Sequence, residues 1–296
     1  MVAKLYRNIF PASIRHFIYE AFLGSLLYHL RHIRVHMSGK FAYLFSWFLP
    51  KTEENAALAF IGKYGITSYP NPYSLEYKNQ KPTVLTDNTE GLPYVIHNNK
   101  KLYFPKTMSH ENISALYLSL IIEQDSRSAH RYVTSYDELK GKILLDIGSA
   151  EGIFSLDTIE LVEHVYLFEF EPFWQEALNA TFKPWLHKAT IVAKYIGDKT
   201  EGSFITIDDF LKDKSKDNLF IKMDIEGAEQ SALKGALSTL KEGKNISLAV
   251  CTYHRPEDPK VISELLSSLG YSYEFTQGMM YWGKRLSKAL IRGKKA

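Results

Sequence analysis

A single cysteine, Cys251, stands in 296 residues, so no disulfide can form within the chain. That suits a reducing compartment, and the cytoplasm is the expected location. Cys251 ends the apolar run 246–251 and reads as an inert core residue. Long apolar runs are also missing. The longest uncharged run near the N-terminus, Ala21 to Leu30, has ten residues, whereas a membrane span needs about 20. No secretory leader is expected, and there is no internal repeat or low-complexity segment. No Asn/Asp-Pro-Pro-aromatic motif for gripping a base is present, so no nucleic-acid partner is expected despite the basic tail. Acids are scarce at both ends. Residues 1–50 hold six Lys/Arg against Glu20, and residues 283–296 hold six basic residues and no acid. The net charge of +3 therefore hides ends that sum to +11 and a middle at −8. Basic ends either touch an anionic surface, making the protein membrane-peripheral, or are simply solvated.

What is present is an ordinary globular composition, 45% hydrophobic and rich in aromatics at 14%. Residues 13–37 carry Ile14, Phe17, Ile18, Ala21, Phe22, Leu26, Leu30 and Ile33 at three- and four-residue spacing, which predicts a helix. A second apolar run, Phe41 to Leu49, stops at Pro50. Residues 1–50 thus read as an amphipathic helical segment. It packs on the main domain or a second subunit, or lies on a membrane with Arg15, Arg31 and Arg34 as anchors. Residues 51–140 read as an accessory region. In it Thr83–Thr86, Tyr94–His97 and Leu102–Phe104 form an antiparallel meander separated by Asp/Asn/Gly turns, and a helix follows Ser109. The polar cluster from Glu123 to Tyr132 reads as a substrate wall or lid, with Asp125, His130, Arg131 and Tyr132 as its candidates, or as a solvated linker.

Residues 141–283 alternate strands and helices, the pattern of a parallel sheet covered on both faces. The stretch Gly141-Lys-Ile-Leu-Leu-Asp146-Ile-Gly148-Ser149-Ala-Glu151-Gly152 is a strand, a glycine turn and a helix start. Such a turn points backbone N–H groups at a ligand. Gly148 admits close approach, and Gly152 lets the helix pack closely. Asp146 at the strand tip would repel a pyrophosphate and favour a cation. This predicts S-adenosylmethionine, with its sulfonium and ammonium, rather than a nicotinamide dinucleotide. The next strand, 164–168, ends in Glu169, 23 residues past Asp146, where an acid meets ribose hydroxyls; Glu171 is a second candidate. Asp198 follows the third strand, 190–195, as an adenine contact or a turn residue. The fourth strand ends in Asp224, before Glu226, and the fifth ends near His254. Ser272–Phe275 and Met279–Trp282 read as a closing hairpin, and 284–296 as a basic tail.

Taken together, Leu-Leu-Asp146-Ile-Gly148, Leu-Phe-Glu169-Phe-Glu171-Pro172, Thr206-Ile-Asp208-Asp209-Phe210 and Met-Asp224-Ile-Glu226-Gly227-Ala-Glu229 resemble the FkbM-type methyltransferases over about residues 140–282. Many members have an asparagine in the first turn, where Ser149-Ala150-Glu151 stand here. The resemblance implies an α/β, Rossmann-like class I methyltransferase fold with a C-terminal antiparallel hairpin. It also implies O-methylation of a hydroxyl on a sugar, polysaccharide or related natural product, with the first 140 residues outside the shared core and setting substrate choice. On this reading Gly148 to Gly152 hold the methionine part and Glu169 the ribose. Asp224 is the first choice for general base or metal ligand and His254 the second, while Glu226 with Asp208 and Asp209 completes an oxygen site for magnesium. Two rival readings are a non-catalytic interaction protein that keeps the fold and a nicotinamide oxidoreductase. An oligomer is compatible with all of them.

Overall fold

A computed structural model describes residues 32–295. Most of the helix expected over 13–37 therefore lies outside the described residues. The described chain forms two compact units, one of residues up to 70 together with 281–286, the other of 71–280 with 287 onward.

The first unit is built on two helices, α1 (Ile33–Leu44) and α2 (Glu53–Tyr64). Helix α2 starts where Thr52 accepts a hydrogen bond from the Asn55 amide, with Glu53 and Glu54 in the first turn complementing the helix dipole. It ends at Gly65, whose φ of 97° is left-handed.

In the second unit the expected meander is present as β1 (Leu85–Asp87), β2 (Leu92–His97) and β3 (Lys100–Tyr103), paired antiparallel in that order. The turn between β2 and β3 holds Asn98 and Asn99 at positive φ, the residues that tolerate it best after glycine. Helix α3 (His110–Glu123) is capped by Ser109, as the sequence predicts.

The main sheet then follows. Strand β4 (Ile143–Ile147) leads to α4 (Ile153–Thr158), β5 (His164–Phe168) to α5 (Pro172–Phe182), and β6 (Ala189–Val192) comes third. Short strands β7 (Tyr195–Ile196) and β8 (Phe204–Ile205) pair with each other and precede α6 (Ile207–Phe210). Next come β9 (Leu219–Met223), α7 (Glu229–Lys234), α8 (Leu237–Glu242), β10 (Ile246–Cys251), α9 (Asp258–Ser268) and β11 (Ser272–Phe275). The hairpin strands β12 (Met280–Trp282) and β13 (Arg285–Ser287) and the strand β14 (Leu290–Lys295) close the chain.

The sheet order is β11-β14-β10-β9-β4-β5-β6. The strands β6, β5, β4, β9 and β10 run parallel, and β14 is antiparallel to both β10 and β11. This is the Rossmann-like class I methyltransferase arrangement. Strands β9 and β10 are buried along their whole length, as expected of central strands covered on both faces.

Two expectations are corrected here. Ser272–Phe275 does not pair with Met280–Trp282; its partner is β14, and β12 pairs with β13 in a separate two-stranded sheet. Residues 290–295 of the expected basic tail thus form an inner strand of the main sheet. Leu290 and Ile291 are fully buried, and Gly293 lies against the Leu248 side chain. The flanking lysines and arginine mask this short apolar core in the sequence.

Candidate active site

The carboxyl ends of β4, β5 and β9 open onto a cleft of about 410 Å³, lined among others by Gly148, Glu169, Glu171, Lys194, Asp224 and Glu226. Ligands bind there in open α/β sheets. Gly148 has φ of 76°, and a Cβ added to it would lie 2.0 Å from the Asp224 carbonyl oxygen. The glycine therefore allows β4 and β9 to leave the sheet side by side. Gly152 serves another contact. Its added Cβ would meet Phe182 and Leu178, so this glycine admits α5 against the start of α4.

Glu169 is held in the cleft by two main-chain amides. One oxygen accepts from the Ala150 amide at 3.1 Å and the other from the Glu171 amide at 2.8 Å. Burial pushes its pKa up, against those two hydrogen bonds. A carboxylate offers about four lone-pair directions, so two remain for a ligand's hydroxyls. Around it stand Phe170, Tyr195 and Phe204, with ring centroids 4.3 Å apart for Phe170–Tyr195 and 5.2 Å for Tyr195–Phe204. The Tyr195 hydroxyl donates to Glu171.

Asp146 does not face this cleft. It is 1% exposed, and its carboxylate sits 2.9 Å from the Lys222 ammonium and accepts from Ser155 at 2.5 Å. Lys222 is its cross-strand partner in the β4–β9 register and also donates to the Gly148 carbonyl at 2.5 Å. Burial alone would lower the Lys222 pKa; Asp146 and Asp224 beside it hold it well above the usual range. The negative charge expected to select against phosphate is thus neutralised inside the protein. Ser149 and Glu151 are buried and do not line this cleft. The Ser149 hydroxyl is buried with no hydrogen-bond partner among the described residues. Glu151 is buried, and desolvation pushes its pKa up to about 8. Asp198 is exposed on its turn, its amide donating to Ser231, and does not line the cleft.

At the tip of β9, Asp224 is a point of convergence. It accepts from the Tyr132 hydroxyl at 2.9 Å and the Tyr253 hydroxyl at 3.2 Å, and lies 3.6 Å from both His130 Nε2 and His254 Nε2. Burial would raise its pKa, but His130, Lys222 and His254 outweigh this and lower it. A carboxylate whose pKa is lowered is a poor base and a good fixed anion. His254 is different. Its Nδ1 lies 2.8 Å from Glu229 Oε1, a fully buried oxygen that also accepts from the Ile225 amide at 3.0 Å. The carboxylate only accepts, so Nδ1 carries the proton and Nε2 presents the lone pair of the neutral ring. That Nε2 faces Asp224 on one side and Glu226, at 3.6 Å, on the other. Burial lowers the His254 pKa, and Glu229, Asp224 and Glu226 together more than restore it, so it stands above 6.5.

The expected lid splits in two. His130 and Tyr132 reach Asp224. Asp125 is engaged by Arg127 at 2.8 Å and by the Tyr77 hydroxyl at 2.7 Å, and Arg131 by the Val133 carbonyl and the Tyr136 ring. These last two are structural. The expected magnesium set is not assembled either. Asp208 caps α8, accepting from the Ser238 and Thr239 amides at 2.9 and 2.7 Å, and Asp209 accepts from the Thr200 hydroxyl, so neither joins Asp224. Lys222, Tyr253 and Glu229 were not singled out as site residues. A lysine inside an apolar strand, one residue before the strand's closing Met-Asp, was the available signal for the first.

The sequence model of the methyltransferase FkbM domain matches residues 62–273. The chain belongs to the FkbM methyltransferase family. The match begins inside α2 and takes in the meander and α3. Solved structures similar to this FkbM chain include an FkbM methyltransferase from Methylobacillus flagellatus KT (20% identity, 81% of this chain and 65% of that one, TM-score 0.43). A precorrin-6y C5,15-methyltransferase from Geobacter metallireducens GS-15 is also similar (16%, 54% and 85%, 0.37). So is magnesium protoporphyrin IX methyltransferase from Synechocystis PCC 6803 with bound SAM (15%, 53% and 72%, 0.36). The chain thus spans just under two-thirds of the length of the Methylobacillus protein. No curated protein matches it.

Proposed function

We propose that this FkbM-family chain transfers a methyl group from S-adenosylmethionine to a hydroxyl of a sugar, polysaccharide or related natural product. The observation that carries the cofactor assignment is the charge of the cleft. Glu169, Glu171, Asp224 and Glu226 line it against Lys194 alone. A pyrophosphate is disfavoured there, and a sulfonium with an ammonium is favoured. This replaces the argument from Asp146, whose charge is spent on Lys222. The cleft also fits by shape: Glu169 is preset for ribose hydroxyls, and the aromatic trio offers a ring a stacking face.

When bound, the cofactor supplies an electrophilic methyl. The chain's own residues do the rest. Glu169 grips the ribose and the 148–150 backbone seats the methionine part. A hydroxyl is a poor nucleophile until its proton leaves; the buried His254 Nε2 takes that proton by way of the Glu226 carboxylate, which stands 3.6 Å from it on the cleft wall. Glu229 fixes the His254 ring and its tautomer. Asp224, anionic and held by two tyrosines, stabilises the imidazolium that forms. The base assignment thus passes from Asp224 to His254, because Asp224 is the weaker base. The acceptor class rests on the family resemblance together with a base suited to a hydroxyl.

Calorimetric titration with S-adenosylmethionine and with NADH, alongside Glu169→Ala, tests the cofactor. Binding of the first ligand alone, weakened at least tenfold in the variant, is expected. Binding of NADH instead would overturn the assignment. Binding of neither would favour an interaction protein that retains the fold.

A further inference from the structure

Helix α1 is packed with its small residues inside and its large apolar residues outside, whereas α2 buries Phe60 and Ile61 beside Ala57 and Gly62. Gly39 and Ala42 are the buried positions of α1, and Gly39 lies against Gly62 of α2. A Cβ on Gly62 would fall 2.0 Å from the Gly39 carbonyl oxygen, so the two backbones touch. Meanwhile Met37, Phe41, Leu44 and Phe45 are exposed, and in the turn that follows Trp47 is 92% and Phe48 87% exposed. In a water-facing helix pair the large apolar side chains occupy the seam. Small residues at the seam with bulky ones outside is the packing of helices in an apolar surrounding.

Charge narrows the occupant. No acid occurs from Ala21 through Thr52, while Arg34, Lys40 and Lys51 are exposed beside the apolar ridge. The first acids, Glu53 and Glu54, open α2. Bulky aromatics with cations at their margin are the composition of an interfacial anchor on an anionic bilayer. Among the described residues no helix is long and apolar enough to cross a membrane, so such an anchor lies on the surface. We propose that α1 and the turn after it dock this protein on an anionic lipid bilayer, with Trp47 and Phe48 inserted at headgroup depth and Lys40 and Lys51 against the headgroups. The proposal is independent of the methyl-transfer reading.

Flotation of the full chain with vesicles tests it. The wild type is expected to float with vesicles of equal parts phosphatidylcholine and phosphatidylglycerol, and much less with phosphatidylcholine alone. The double variant Trp47→Ser/Phe48→Ser should lose affinity on the order of tenfold or more, since it removes both inserted aromatics. Both side chains are exposed, so its melting temperature should match the wild type. Lys40→Glu/Lys51→Glu should abolish the preference for anionic vesicles. The proposal is overturned if the wild type does not float or if the serine variant floats equally well. It is also overturned if light scattering shows a dimer that the serine variant makes monomeric, in which case a second copy of this chain covers the ridge.

Discussion

At the scale of single residues, the site rests on two carboxylates with opposite uses. Glu229 is buried to orient His254, whereas Asp146 is buried to hold Lys222 under the glycine turn. His254→Ala should cut turnover by about 10²–10⁴-fold, the contribution of a positioned base. The base works when neutral, so the rate should rise with pH as His254 loses its proton, at a value above 6.5. Glu229→Gln keeps the shape but removes a charge that favours the imidazolium. The acid limb of kcat/KM should then move to lower pH, with affinity for S-adenosylmethionine unchanged; an unmoved limb would assign the base elsewhere. Lys222→Met leaves a buried anion without its partner and should cost about 3–5 kcal/mol in urea unfolding, with Asp146→Asn in the same chain recovering much of it. Glu169 was legible in the sequence because its place depends on local spacing, a strand tip in a known register to a glycine turn. The Lys222–Asp146 pair was not, because it depends on which strands are neighbours. Asp208 misled for the same reason: its partner amides lie 30 and 31 residues further along.

At the scale of elements, strands with continuous apolar runs and helices with caps were readable, since burial on both faces and N-terminal capping leave local marks. The meander was readable through its Asn and Gly turns. Strand β14 was not. Its apolar core is short and its charges are many, and only the slot between β10 and β11 makes it a strand. Deleting residues 290–296 should therefore do more than trim a tail. It removes the antiparallel partner of Ile246–Cys251 and of Ser272–Phe275 at once. The expected outcome is loss of the cooperative thermal transition and of cofactor binding; a truncated chain that melts like the intact one would contradict the topology.

At the scale of the whole molecule, the uneven charge takes on a structural meaning. The basic C-terminal residues are divided between an inner sheet strand and the β12–β13 hairpin and loop before it, and Arg34, Lys40 and Lys51 of the first unit border an apolar ridge. Net charge alone could not separate these roles. The stability of the fold should also depend on pH through Glu151. Its folded pKa, about 8, lies above the unfolded value of 4.5, so the protonated form is favoured by folding. Its contribution is present in full below about pH 4.5 and is lost as pH rises through about 8. Glu151→Gln should flatten the decline in melting temperature between about pH 4.5 and 8, the window that the shift defines, relative to the wild type.

The position of β14 has a consequence for how the protein is made. During synthesis, β9 and β10 leave the ribosome well before residues 290–295, and until then β10 presents an unpaired edge that is apolar but for Ser247. Strand β11 has no sheet neighbour in that interval either, because β14 lies between it and β10. The nascent chain must therefore carry an unpaired sheet edge until residues 290–295 emerge, an aggregation hazard during synthesis.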